Sequence, residues 1–360
     1  MKILFRSILC EYLQHLGFGL GLFCLALVGG DLFLGGGRIL LESHSSDGLL
    51  VYALCRLPQA CSFALPMACL LATLLTVGRM STSNELIAIR CGGVSTARAL
   101  TPLLAVGAML SLGLMAVNLE LVPRSVREAN RIVEASLIAT APTGFSLAPQ
   151  VLANGEEVVI SGLSYLPEGP SISGLSMGIF FEGRRVREAY AEEASWMGDC
   201  WRLKGICVRE FRAQESSWKA GMLVTRTLAG LSLPTPEDLA RQQQSPDEMK
   251  WNDLVARARA SQSTQARTLW LRLFQRLAIP WACLIFTVFS APIAVVPHRS
   301  GVSAGFGRAL ALSGFYYLVA LLAALLCNLR LIGPALAAWV PNLVFSLAAI
   351  YLWRSRRDSL

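Results

Sequence analysis

The chain has 360 residues, 54% of them hydrophobic and 16% charged, with a mean hydropathy of +0.51 and a formal net charge of +8. A typical soluble domain carries about 25% charged residues, so an ordinary soluble globular protein is excluded. The apolar excess sits in blocks toward the two ends, and the middle is polar.

The first apolar block covers residues 9–34. It is longer than the apolar region of a secretory signal and lacks a clean small-residue cleavage site, so it reads as a membrane span. Further candidate spans cover 58–77, 100–121, 277–296, 304–327 and 334–353. Each is close to the ~20 residues needed to cross ~30 Å of hydrocarbon. Between the third and fourth spans, residues 124–138 predict a helix that continues past Pro123. The following stretch, 143–232, predicts short strands at 158–160, 177–181, 189–196, 201–211 and 222–228. Turn signals separate them at Asn154-Gly155, Pro167-Glu168-Gly169-Pro170, Glu182-Gly183 and Gly198-Asp199. Strands so spaced suggest a sandwich or jellyroll. A proline-rich polar stretch, 234–247, precedes a predicted helix over 248–266 that leads back to the membrane. The expected fold class is therefore an α-helical membrane protein with six transmembrane helices and an inserted all-β domain. Its expected divisions are 1–123, 124–270 and 271–360.

The basic residues orient this plan. With the N-terminus in the cytoplasm, the cytoplasmic segments hold Lys2, Arg6, Arg79, Arg90, Arg98, Arg299, Arg354, Arg356 and Arg357, against Arg38, Arg56 and Arg330 in the short outside loops. Nine against three follows the positive-inside rule, with both termini cytoplasmic and the middle segment outside. This accounts for the basic charge without nucleic acid.

Candidate catalytic and metal motifs are sparse. Gly174-Leu175-Ser176-Met177-Gly178 and Gly301-Val302-Ser303-Ala304-Gly305 match the nucleophile-elbow pattern. That elbow needs a strand, a turn, a helix and a histidine. The first match lies in an all-β stretch and the second opens a span, so both read as chance, and the glycines of the second suit close helix packing. The three histidines, His15, His44 and His298, fall on both sides of the membrane and do not make a metal set. An intramembrane hydrolase using Ser303 and His298 is the enzymatic alternative. None of the four lysines sits in a P-loop pattern, so any nucleotide is hydrolysed by a partner. Most of the ten cysteines lie in or beside apolar spans, as small hydrophobes. Cys200 and Cys207 lie in the expected outside domain, and a bridge between them requires a turn at Lys204-Gly205. Gly17 and Gly21, four apart in the first span, offer a face for close helix contact or for a movable subunit interface.

The loop over about 79–99 carries the most information. Ser83 or Asn84 is placed to cap a short helix, Glu85 suits its first turn, and Gly92-Gly93 ends it. Leu86, Ile87 and Ile89 make this helix amphipathic. Such a helix either lies on the membrane surface or docks into another protein.

Around this loop stand Leu65-Pro66, Gly78-Arg79-Met80, Glu85-Leu86 and Cys91-Gly92-Gly93-Val94-Ser95. Asn118 and Pro123 follow the third span, and Arg276 and Pro280 mark the fourth. Then come Pro292, Pro297-His298-Arg299-Ser300-Gly301, Phe315-Tyr316-Tyr317, and Pro334 through Trp339 to Pro341-Asn342. The ordered set resembles the LptF/LptG (YjgP/YjgQ) permeases, the membrane subunits of the ABC transporter that extracts lipopolysaccharide, along the whole chain. Cys91-Gly92-Gly93 leans toward the F-type subunit.

The resemblance implies an inner-membrane protein of six helices with a periplasmic β-jellyroll between the third and fourth. It implies a non-catalytic permease subunit that binds no cofactor, with ATP and Mg used by an LptB-type ATPase dimer. A second LptF/LptG-type permease, LptC-like and LptA-like periplasmic bridge proteins and lipopolysaccharide are the remaining implied partners. Glu85 matches the coupling-helix glutamate that contacts the ATPase, with Arg79 and Arg90 flanking it. Arg38, Arg124 and Arg127 lie near the outer rim, where a guanidinium fork suits a lipid phosphate. The alternatives are another lipid or lipoprotein ABC permease, or a membrane-anchored sensory or structural protein.

Overall fold

The structure is a computed structural model that describes residues 2–34, 46–140, 145–146, 150–151, 157–162, 164–166, 171–181, 184–196, 201–211, 216–220, 227–228, 231–232, 245–261, 263–295 and 302–355. The chain divides into two compact units. One comprises Met1–Ile132 with Pro246–Leu360, and the other comprises Val133–Ser245.

The first unit is a helical bundle. Its helices are α1 (Lys2–Leu34), α2 (Ser46–Thr82), α3 (Glu85–Cys91), α4 (Thr96–Ala99) and α5 (Thr101–Ala116). A π-helical turn, Val117–Leu121, joins α5 to α6 (Val122–Thr140), whose far end belongs to the second unit. After a 3₁₀ turn at Pro246–Glu248 come α7 (Trp251–Ala260), α8 (Ser263–Ala294), α9 (Val302–Asn328) and α10 (Pro334–Ser355). Among the described residues, six helical segments are long and apolar enough to cross a membrane: Phe5–Leu34, Gly48–Thr82, Thr101–Val133, Gln265–Ala294, Gly305–Asn328 and Pro334–Ser355.

These segments outrun the apolar windows of the sequence. α2 begins twelve residues before Pro58, and both Pro58 and Pro66 lie inside it. The added turns are held from α1. Tyr52 donates to Asp31 at 2.6 Å, and the Arg56 guanidinium lies 3.1 Å from the same carboxylate. The expected helix over 248–266 is in fact two, because α7 closes at an extended Ser261. α7 folds its apolar face onto the start of α8, burying Met249, Leu254 and Ala258 against Leu269 and Leu273. Val126 and Ala129 of α6 are likewise buried. The expected divisions at 124 and 270 therefore fall inside the bundle unit, whose limits are Ile132 and Pro246.

α2 and α8 form the centre of the bundle, with most of their membrane windows buried. Small residues set the helix spacing. A Cβ on Gly107 of α5 would stand 2.9 Å from Thr287 Oγ1 of α8, and one on Gly305 of α9 would stand 3.0 Å from Leu75 of α2. On α1 the close approach is at Gly19, against Ala68 and Leu71, while Gly17 and Gly21 face open space. Polar ties cross the core. Tyr316 donates to Asn342 at 2.9 Å, and Asn342 donates to the Ala278 carbonyl at 2.7 Å, joining α9, α10 and α8. Phe286 and Phe345 pack edge-on against Tyr316, and Phe289 packs edge-on against Phe345.

At the other side of α8, buried Arg276 donates to three main-chain carbonyls: Met249 at 2.7 Å, Pro246 at 2.7 Å and Asp247 at 3.1 Å. Arg127 donates to the Glu248 carbonyl at 3.1 Å, and Asn130 to the Glu248 carboxylate at 2.5 Å. The 3₁₀ turn is thus fixed to both α8 and α6.

The second unit contains an antiparallel sheet. Its path is β1 (Phe145–Ser146), β3 (Glu157–Gly162), β5 (Ser171–Phe181), β6 (Arg184–Trp196), β7 (Trp201–Phe211) and β8 (Ser216–Ala220). β2 (Gln150–Val151) also pairs with β3, and β4 (Ser164–Leu166) with β5. β9 (Thr227–Leu228) and β10 (Leu231–Ser232) make a separate pair. Leu175 and Met177 stand opposite Ala191 and Ala189, and all four are buried, so this face is the apolar one. β5 to β8 follow each other as a meander; the Greek-key crossing of a jellyroll does not occur among the described strands. The expected turns and most of 222–228 lie outside the described residues. β7 runs unbroken through Lys204 and Gly205, without the turn that a Cys200–Cys207 bridge requires. Cys207 is a free thiol, and Cys200 lies outside the described residues.

Two expectations follow from the bundle. Gly107→Val drives a branched side chain into Thr287 and is expected to cost about 1–3 kcal/mol. Gly113→Ala on the same helix meets open space and is expected to stay within about 0.5 kcal/mol. Thermal unfolding in detergent checks both, and equal shifts would show that α5 does not pack at Gly107. Arg276→Met leaves three carbonyls without their donor and is expected to cost at least about 2 kcal/mol. It is also expected to open the turn near residue 248 to protease, which wild-type protection in the variant would disprove.

Candidate functional site

The short helix α3 is built by its flanks. α2 stops because the Ser83 N–H, the Ser83 hydroxyl and the Thr82 hydroxyl all turn back to the Arg79 carbonyl, each at 2.9 Å. Ser83 therefore ends α2 rather than capping α3. Asn84 holds the N-cap position with φ 58° and no side-chain cap bond. It supplies a left-handed residue, which asparagine tolerates well. At the other end Gly93 has φ +77°, its N–H reaches the Arg90 carbonyl, and the Val94 N–H reaches the Ile89 carbonyl. These are the two bonds of a Schellman stop, as the paired glycines predict.

α3 is amphipathic toward the protein. Leu86 is buried and Ile89 packs against the bundle core, while Ile87, Ala88, Arg90 and Cys91 are exposed. Its first residue, Glu85, is held by Arg79 of α2, whose Nη1 donates to Oε1 at 2.9 Å and Nη2 to Oε2 at 3.4 Å. The same guanidinium grips a second carboxylate. Arg79 Nε and Nη2 donate to the two oxygens of Glu11 on α1. His15, one turn farther along α1, bonds Thr76 of α2 at 3.0 Å. Arg79 and Glu85 are thus brought together, whereas Arg90 stands at the opposite end of α3. Glu11 was missed in the sequence. A single glutamate in a helix carries no signal until its partner, 68 positions away, is known.

The expected rim arginines separate. Arg124 pairs with Glu120 at 2.7 Å on the exposed face of its helix, with its head largely in solvent. Arg127 turns instead toward the Pro246–Glu248 turn, and its Nε is buried without a hydrogen-bond partner. Arg38 lies outside the described residues. Next to Arg276 a half-open cavity of about 60 Å³ is lined by Gln59, Ser62, Asn118, Asp247 and Gln275 among others. Asn118 lies in the π turn, is buried, and accepts from the Ser62 hydroxyl. π turns recur where a helix is adapted to function, and the cavity is roomy and polar enough for water.

The serine motifs lack elbow geometry. Ser176 sits in the middle of β5, opposite Tyr190, and Ser303 lies within the first turn of α9. His298 lies outside the described residues.

Comparison with known proteins adds the family. The family described as Lipopolysaccharide export system permease LptF/LptG matches residues 6–355. Among curated proteins none matches the chain. The family match spans all six apolar segments, the surface helix α3 and the sheet-bearing unit together. This chain belongs to the LptF/LptG family of lipopolysaccharide export permeases.

Proposed function

We propose that this chain is a permease subunit of the ABC transporter that extracts lipopolysaccharide from the bacterial inner membrane and passes it to a periplasmic bridge. The observation that carries this reading is α3, a surface helix anchored by Leu86, oriented by Arg79 and Glu85, and exposing Ile87 and Arg90. Within a permease family, that is the shape of an element that docks a soluble motor. Arg79 and Arg90 assist Glu85 in this role. The ATPase dimer is LptB-type and uses ATP and Mg, and this chain has no catalytic residue or cofactor of its own.

The arginine asymmetry supports both termini and α3 in the cytoplasm. The sheet-bearing unit is then the periplasmic β domain that receives the glycolipid and hands it to LptC-like and LptA-like proteins. The outward faces of α1 and α9 are rich in exposed leucine and phenylalanine. Gly17 and Gly21 lie open on α1, which suits a second LptF/LptG-type permease across a shared lipid cavity. Arg38, Arg124 and Arg127 are the phosphate contacts in this reading, and Arg127 is also tied to Glu248.

Purification from native membranes with mass spectrometry is expected to recover a second permease, a P-loop ATPase and lipopolysaccharide. Recovery of the chain alone with ordinary phospholipid would favour a sensory or structural protein. Glu85→Gln is expected to lower ATP-driven lipid release at least about tenfold while leaving membrane insertion intact, and wild-type release would refute the coupling role. Arg38→Ala with Arg124→Ala is expected to reduce co-purified lipopolysaccharide by about threefold or more, whereas an unchanged yield would remove those two rim contacts.

A further inference from the structure

The Arg79 guanidinium serves two carboxylates, and one of them, Glu11, has no part in the reading above. We infer that Glu11 is a positioning residue for the coupling helix. By holding Arg79 against α1, it keeps Glu85 incompletely neutralised and open to a cationic side chain of the ATPase. The inference rests on the docking role of α3 and adds the residue that sets the charge Glu85 presents.

The geometry is lopsided. Arg79 meets Glu11 fork to fork, through Nε and Nη2. It meets Glu85 through Nη1 at 2.9 Å and a longer Nη2 contact at 3.4 Å. The Glu11 side chain is 17% exposed and that of Glu85 is 42% exposed. An ion pair shielded from water is the stronger one, because screening falls with burial. The guanidinium therefore belongs mainly to Glu11. Among the described residues no other cation pairs with either carboxylate. One positive charge faces two negative ones, and the residual negative charge lies on the more exposed group, at the first residue of the docking helix. When a cation of the partner reaches Glu85, Arg79 need not be expelled into water. It is already seated on Glu11, and only its weaker contact is exchanged.

Removing the Glu11 charge reverses this division. Arg79 then passes wholly to Glu85 and quenches the charge the partner needs. A plain tie between α1 and α2 predicts something different, since losing either partner of the tie would do the same harm and losing both would not repair it.

The test uses the full chain with its partner permease in lipid nanodiscs, titrated with the purified LptB-type ATPase of the same cells. The reading is the half-saturating ATPase concentration. Glu11→Gln is expected to raise it about five- to tenfold. Glu11→Asp, which keeps the charge, is expected to stay within about twofold of wild type. Glu11→Gln combined with Arg79→Gln is expected to bind at least about threefold more tightly than Glu11→Gln alone, because no guanidinium is left to quench Glu85, and to fall short of wild type by what Arg79 itself adds to docking. A wild-type value for Glu11→Gln, or a double variant as weak as the single one, overturns the role of Glu11. Glu85→Gln separates the two layers. If it weakens binding while Glu11→Gln does not, only this inference falls. If it binds as wild type, the docking role of Glu85 falls and the inference falls with it.

Discussion

A polar group inside hydrocarbon must find its partner within the protein, because each unsatisfied one costs several kcal/mol. The bundle is organised by that constraint. Tyr52 and Arg56 of α2 close on Asp31 of α1. Ser62 of α2 closes on Asn118 in the π turn. Tyr317 of α9 donates to the Phe63 carbonyl of α2 at 2.8 Å, and Trp353 of α10 donates to the Val288 carbonyl of α8 at 3.0 Å. Each of these four ties joins a different pair of elements, and α2 or α8 is a member of all four. Without a hydrophobic drive between helices in lipid, pairing is chosen by close packing at small residues together with bonds such as these. The centrality of α2 and α8 follows from the polar side chains and carbonyls they offer.

The same rule acts differently at the two ends of the bundle. Arg276 has three carbonyl acceptors and little contact with solvent. Moving it would strip three acceptors at once, so the joint between α8 and the Pro246–Glu248 turn is a fixed one. Arg79 also makes several bonds, but half of its side chain is exposed and its acceptors sit on two separate elements. Water can stand in for either acceptor during an exchange, which keeps the cost of switching low. A saturated, buried arginine holds parts together. A shared, exposed one allows a partner to be traded.

How much of this was legible in the sequence depends on how far apart the partners lie. The existence of six apolar segments followed from local runs, and the end of α3 from two adjacent glycines. The start of α2 was hidden, because residues 46–57 are held by Asp31, which lies outside any local window. The glycine spacing on α1 pointed to Gly17 and Gly21, but the contact is at Gly19, since a helix pattern does not say which face has a neighbour. β8 is Ser-Ser-Trp-Lys-Ala, a strand without alternation, and it pairs with β7 through main-chain bonds that any sequence can make. Glu85 stands out in the sequence because its loop is distinctive, whereas the bond of Glu11 to Arg79 spans 68 positions and leaves no local mark.

Several of the residues that carried the family resemblance are among these ties. Asn118 accepts from Ser62, Tyr316 and Asn342 link three helices, and Arg276 clamps the turn. A permease has no reacting group whose geometry must be kept, so its signature is written in the bonds that hold helices together in lipid. An ordered set of such residues, none of them decisive alone, therefore identifies the family as firmly as a catalytic motif identifies an enzyme. It says less about what passes through. In the proposed function, the side chains that would meet cargo and motor are exposed and few, and they are read from what the ties leave uncovered: the outward faces of α1 and α9 and the open side of α3.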